Sequence, residues 1–173
     1  PCQALADILT IHERFGSLQG LKFAFVGDGN NVAASSLIAC AKYGLDFAIA
    51  SPPGYALEGD VIEEARGISD IKVETFLEPE DAVRDADVVY TDTWVSMGQE
   101  DEVAQRLALF EPYQVNAELL KLAKPTAIVL HCLPAHRGQE ITDEVADGPQ
   151  SMIFPQAENR LHAQKAVLVA LMK

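Results

Sequence analysis

The sequence predicts an α/β fold, a three-layer, doubly wound parallel sheet of the Rossmann-like kind, as one domain over residues 1–173. Three observations carry that expectation. Short apolar runs end in glycine, proline or a polar cluster and recur along the chain. Stretches with helical spacing of apolar side chains separate them. Most of the runs are apolar on successive residues, which marks strands covered on both faces. No internal repeat, low-complexity tract or linker-like boundary divides the chain.

From Ala4 to Phe15 the apolar positions Leu5, Ile8, Leu9, Ile11 and Phe15 fall mostly on one helical face, and Gly16 and Gly20 break the pattern. Leu21–Gly27 reads as a buried strand, and Val32 to Tyr43 as a helix rich in Ala and Leu closed by Gly44. Asp46–Pro52 is the second strand, stopped by Pro52, Pro53 and Gly54. Val61–Arg66 is a short helix that Asp60 is expected to cap. Lys72–Phe76 alternates as a strand, and Pro79–Asp85 is a helical turn with acidic residues at its start, which suits the helix dipole. Val88–Thr91 is a strand, followed by a long polar connection from Trp94 to Pro112 with helix expected over Glu102–Leu109. Asn116–Leu122 is a helix, Thr126–His131 a strand and Thr142–Ala146 a short helix. Ser151–Pro155 is expected to be extended, and Ala157–Met172 to form a closing amphipathic helix.

The 26 acidic and 13 basic side chains give a net charge of −13. Nucleic-acid binding needs clustered Lys and Arg, so the balance argues against that partner and against an anionic membrane surface. The charge reads as solubility. Cys2, Cys40 and Cys132 are an odd count without CxxC spacing. A disulfide framework or metal site is therefore not expected, and a reducing, cytoplasmic compartment is. No run is long enough to span a bilayer, and no signal peptide is visible. The chain opens without methionine, at Pro1-Cys2-Gln3, and reads as a piece of something longer.

In such a fold chemistry collects at the carboxyl ends of the strands. Ala127–Gly138 ends a strand in His131-Cys132-Leu133-Pro134, then passes His136 and Arg137 to glycine. A thiol, two imidazoles and a guanidinium at a strand end are hard to explain as core filling. Cys132 reads either as an inert buried thiol or as a proton acceptor, donor or nucleophile. His131 should point to the opposite face, and Leu133-Pro134 is a candidate cis peptide. Val88–Thr91 delivers Asp92, then Trp94, Ser96, Met97 and Gly98. Asp92 is either the cap of the next element or a salt-bridge partner for a substrate ammonium. Ser96-Met97-Gly98 suits the start of a lid or an ordinary surface loop.

The first strand ends in Gly27-Asp28-Gly29-Asn30-Asn31-Val32, a turn whose free N–H groups suit an anion. The dinucleotide pattern G-x-G-x-x-G fails at Val32, and Ser51-Pro52 stands where a ribose-binding acid belongs. A substrate carboxylate held by the helix start and by Asn31 fits better, with Asn30 and the glycines serving the turn. Arg160, in Glu158-Asn159-Arg160, is expected in the first turn of the last helix, where it opposes the dipole and calls for an anion.

Taken together, P-C-Q at Pro1–Gln3, G-D-G-N-N at Gly27–Asn31, D-x-W-x-S-M-G at Asp92–Gly98, H-C-L-P at His131–Pro134 and E-N-R at Glu158–Arg160 resemble the ornithine carbamoyltransferase family, in its second, ornithine-binding domain. The resemblance runs over essentially the whole chain, and S-M-G with H-C-L-P favours ornithine over the aspartate- and putrescine-using relatives. It implies transfer of the carbamoyl group of carbamoyl phosphate to the δ-amine of ornithine, giving citrulline and phosphate. Asn31, Asp92, Ser96 and Met97 would hold the α-amino and carboxylate groups. Cys132, with Asp92, would help the δ-amine lose its proton. Arg160, Gln3 and the main chain at Cys132 and Leu133 would contact carbamoyl phosphate. No metal or organic cofactor is implied, and in an animal the compartment would be the mitochondrial matrix.

The family's phosphate-gripping S-x-R-T segment belongs to a first domain and does not occur here, nor does the histidine expected before Pro1. The chain alone is therefore expected to fold but not to turn over. The resemblance implies a homotrimer held largely through the missing domain, so this piece is expected to be monomeric. Two other readings stand beside it: a nicotinamide-dependent oxidoreductase domain, disfavoured by Val32 and Ser51-Pro52, and a non-catalytic module that captures a basic amino acid.

Overall fold

The computed structural model describes residues 1–95 and 103–172. The elements run α1 (Cys2–Phe15), β1 (Lys22–Val26), α2 (Asn31–Tyr43), β2 (Asp46–Ala50), α3 (Gly59–Ile68), β3 (Val73–Phe76), α4 (Pro79–Val83) and β4 (Val88–Thr91). They continue with α5 (Val103–Phe110), a 3-10 turn (Glu111–Tyr113), α6 (Ala117–Leu120), β5 (Ile128–His131), α7 (Asp143–Ala146) and α8 (Ile153–Leu171). The five strands are parallel in the order β3-β2-β1-β4-β5. The order reverses between β1 and β4, and the crevice at that switch point opens at the carboxyl ends of the strands.

The two faces of the sheet are built from different side chains because strand neighbours point opposite ways. Phe23, Phe25, Phe47, Ile49, Tyr90 and Leu130 pack with residues of α1, α2 and α3 such as Ile8, Ile11, Leu37 and Ala65. The other face carries the small residues Ala24, Val26, Ala48, Ala50, Val89 and Val129, against α4, α6 and α7. On the first face the rings of Phe47, Phe23, Tyr90 and Phe25 stack in a row, with centroids 5.6, 5.5 and 5.4 Å apart. That row fixes the Tyr90 ring.

Several boundaries differ from the sequence reading, three of them informatively. α3 begins at Gly59, so Asp60 lies inside its first turn, accepting from the Val61 N–H at 2.8 Å, and is not the cap. Extended pairing within Ser151–Pro155 is confined to Ser151, which bridges to Val129. The helix then starts at Ile153 and absorbs Pro155, because a proline in the first turn removes an N–H that has no intrahelical partner. Nor is α8 cleanly amphipathic. Its buried residues are Ile153, Gln156, Asn159 and Ala163, while Phe154, Leu161, Leu168 and Val169 are exposed. The buried stripe of α1 likewise includes the polar Asp7 and Thr10. The polar residues of the two helices meet: the Asn159 side chain donates to Thr10 and Glu13, and that of Gln156 to Asp7.

Candidate active site

The turn after β1 is shaped by close backbone approach. A Cβ on Gly29 would sit 2.4 Å from the Leu57 backbone nitrogen, so only glycine fits there. Asn30 then caps α2: its Oδ1 accepts from the N–H groups of Val32 and Ala33 at 2.8 and 3.2 Å. The other end of the same amide donates from Nδ2 to Asp92 Oδ2 at 3.1 Å. The residue read as serving the turn alone therefore also ties the β1 turn to the end of β4. Asn31, the first residue of α2, is exposed beside it.

Asp92 is 7 % exposed, and three donors converge on its carboxylate. Besides Asn30 these are the Thr93 N–H, at 2.7 Å from Oδ1, and the Cys132 thiol, at 2.8 Å from the same oxygen. The adjacent strands β4 and β5, with Thr91 in register with His131, bring the carboxylate and the thiol together. Burial, the Asp92 charge and the hydrogen bond to it push the Cys132 thiol far above its ordinary range. It stands as a protonated donor.

His131 faces away from Cys132, as the strand alternation requires, and is 1 % exposed. Its Nε2 meets Glu140 Oε1 at 3.2 Å, and its Nδ1 accepts the Leu133 N–H at 2.9 Å. The Leu133-Pro134 peptide is cis, and Leu133 itself adopts a positive φ of 59°. Arg137 does not join the cluster. It pairs with Asp143 and Asp147 at the surface, so the expected guanidinium at this strand end is absent.

Arg160 lies beyond the first turn of α8, because that helix starts earlier than its sequence suggests, and the dipole argument for an anionic partner falls away. Its Nη1 donates to Gln3 Oε1 at 2.9 Å, while its buried Nε has no partner among the described residues. Gln3 is held in turn by Asp7, to which its Nε2 donates at 2.8 Å. Ser96 and Met97 lie outside the described residues.

The sequence reading missed the buried charged residues Asp7, Asp87, Arg106 and Glu140. Asp7, 2 % exposed, stands behind Gln3, hidden within a helical run whose apolar spacing drew attention first. Arg106 on α5 is also 2 % exposed. It pairs with Asp28 of the β1 turn, donates from Nε to the Trp94 carbonyl, and lies over the Tyr55 and Phe110 rings at 4.7 and 5.0 Å. The aromatic residues around it, in a stretch otherwise polar, were the available signal. Arg106 thus fastens α5 to the β1 turn and to the end of β4. Among the described residues no helix is long and apolar enough to cross a membrane.

A family model for the Asp/Orn binding domain of aspartate/ornithine carbamoyltransferases matches residues 19–171. An ornithine carbamoyltransferase of Methanoculleus marisnigri is 57 % identical over 171 residues, which cover 99 % of this chain and 55 % of that protein. The crystal structure of the Gloeobacter violaceus ornithine carbamoyltransferase superposes with a TM-score of 0.93 at 54 % identity, covering 100 % of this chain and 59 % of that one. The Pyrococcus furiosus ornithine carbamoyltransferase gives 0.92 at 53 % identity, covering 97 % and 55 %. The chain spans a little over half the length of these relatives. With its β3-β2-β1-β4-β5 sheet and a carboxylate–thiol pair at the switch-point crevice, the chain belongs to the aspartate/ornithine carbamoyltransferase family, within its Asp/Orn binding domain.

Proposed function

We propose that this chain is the ornithine-binding half of an ornithine carbamoyltransferase, which moves a carbamoyl group from carbamoyl phosphate to the δ-amine of ornithine, giving citrulline and phosphate. The observation that carries the reading is the Asp92–Cys132 contact at 2.8 Å, on a carboxylate that Asn30 also holds. The names of the relatives favour ornithine over aspartate as the amino substrate.

In this reading Asp92, Asn31, Ser96 and Met97 hold the α-amino and carboxylate groups of ornithine. An ammonium has no lone pair, so the δ-nitrogen must lose a proton before it attacks. A cation arriving beside Asp92 opposes the effects that keep the Cys132 thiol protonated, and the pair then eases the proton off the nitrogen. The amine nitrogen bonds to the carbamoyl carbon, the carbon–oxygen bond to phosphate breaks, and the electron pair leaves with phosphate, which takes up the proton the nitrogen sheds on acylation. Arg160, oriented by its Nη1 bond to Gln3, stabilises charge growing on the carbamoyl oxygen. Gln3 and the main chain at Cys132 and Leu133 complete the contacts to carbamoyl phosphate.

The second half of the reaction site belongs to a carbamoyl-phosphate domain outside this chain, and the whole enzyme assembles as a homotrimer. The three free cysteines support a reducing compartment, the cytoplasm or, in an animal, the mitochondrial matrix.

Titration of the chain with ornithine and norvaline, followed by calorimetry and chemical shifts at Asn31, Asp92 and Cys132, tests the binding half. Shifts confined to those residues support it; no heat with either ligand, or shifts elsewhere, removes it. Joining the chain to a carbamoyl-phosphate domain and measuring citrulline tests the transfer. Binding without citrulline would leave a module that captures a basic amino acid.

A further inference from the structure

Asp7 is a carboxyl on the apolar face of α1, 2 % exposed, which the mechanism above does not use. Its Oδ1 accepts two side-chain amides, Gln3 Nε2 at 2.8 Å and Gln156 Nε2 at 2.6 Å. Both amides are thereby oriented. Gln3 turns its Oε1 to Arg160, and Gln156 turns its Oε1 to the His131 N–H at 2.8 Å, at the end of β5. The second oxygen of Asp7 is buried and unpartnered among the described residues, and so is the Tyr90 hydroxyl. That hydroxyl bears on the Asp7 carboxyl and on the Cys132 thiol, easing the ionisation of both against their burial. A buried polar atom without a partner is costly, so each of these two is a candidate partner for the other.

We propose that Asp7 is a positioning residue shared by the two ends of the site: it holds Gln3, and through it Arg160, and takes the Tyr90 hydroxyl that lies against Cys132. The inference rests on the reading of Arg160 and Cys132 as parts of one substrate site. A change of charge at this one carboxyl is felt at both ends.

The groups that face Asp7 are Gln3 on its own helix, Cys40 on α2, Tyr90 on β4, Cys132 beyond β5, and Gln156 and Arg160 on α8. Burial pushes Cys40, Tyr90 and Cys132 upward, away from neutrality. Asp7 is pushed up by burial to about 6, so it is the member of this set that changes charge near neutral pH. The His131 ring is turned to Glu140 and reaches the set only through its backbone N–H.

The test uses the chain as it stands. Nitrogen-detected shifts of the Gln3 and Gln156 side-chain amides and of Arg160 Nε are followed with pH, alongside the alkylation rate of Cys132 by iodoacetamide, resolved from Cys2 by mass spectrometry. The expected result is one inflection near pH 6 in all four signals, with Cys132 alkylation above it slowed by roughly threefold, half a pK unit. Asp7→Asn removes the inflection at both ends. Tyr90→Phe shrinks it at Cys132, leaving only the direct effect of the Asp7 charge, and keeps it in full at Gln3 and Arg160. An inflection at Cys132 that survives in Asp7→Asn, that keeps its full size in Tyr90→Phe, or that is missing from the parent chain overturns the proposal. Should Asp7→Asn fail to fold, Tyr90→Phe decides alone. Ornithine binding without this coupling sinks the inference and spares the proposed function, and coupling without ornithine binding does the reverse.

Discussion

The Cys132 thiol donates to Asp92 Oδ1 across 2.8 Å, joining the ends of two adjacent strands that are 40 residues apart in sequence. The direction of that hydrogen bond matters. It makes the carboxylate the acceptor and keeps the sulfur protonated, so charge at this point of the crevice resides on Asp92.

Replacing Asp92 by Asn keeps the shape and removes the charge. Ornithine affinity is expected to fall by roughly 10- to 100-fold, the worth of a charge-assisted hydrogen bond of about 1.5–3 kcal/mol. Calorimetric titration of the variant checks this. Unchanged affinity would mean that the substrate ammonium sits elsewhere.

The same substitution should make Cys132 more reactive. In the parent chain the thiol is pushed far above its ordinary 9.0 by burial first and then by Asp92, so its alkylation rate should still be climbing at pH 9. With the charge removed, two of the causes of that shift weaken, and alkylation at any pH below 9 should speed up. A plateau at the ordinary thiol value in the parent chain contradicts the contact.

Asp7 should leave a mark on stability. Unfolded, its carboxyl loses its proton around 3.8; folded, it keeps the proton up to about 6. The protonated side chain therefore favours the folded state, fully so below the unfolded value, and that contribution is lost as pH rises through about 6. The difference of about two units is worth about 3 kcal/mol. Urea denaturation of Asp7→Asn should gain stability over the parent by about that amount between pH ~4 and pH ~8. Parallel profiles would rule out a buried, protonating carboxyl.

Arg106 and Asp28 are a buried pair, with side chains 2 % and 13 % exposed. Arg106→Leu strands the Asp28 charge and should destabilise the fold by roughly 3–5 kcal/mol. Adding Asp28→Asn should recover part of that loss. Thermal melts of the single and double variants decide it, and strictly additive losses would show that the pairing is not the cause.

Much of this was legible from the chain. Apolar runs marked β1, β2, β4 and β5, because buried parallel strands have little room for polar residues, and alternation marked the less buried β3. The G-D-G-N-N, D-x-W and H-C-L-P turns marked the crevice, because chemistry-bearing residues at strand ends have few structural duties. What stayed hidden was polar burial. Asp7, Arg106, Gln156 and Asn159 are paired across 78 to 149 residues of sequence, and no local pattern reports a partner that far away. The start of α8 was misplaced for a local reason: Pro155 looked like an end to extended chain and is instead part of the first helical turn.

The His131 ring has one more effect on the chain beyond it. By capturing the Leu133 N–H at Nδ1, and with Pro134 having none to give, it strips this corner of hydrogen-bond donors. In the proposed site, a corner short of donors would favour an –NH2 over a phosphoryl group, and so would sort the two ends of an asymmetric guest by polarity.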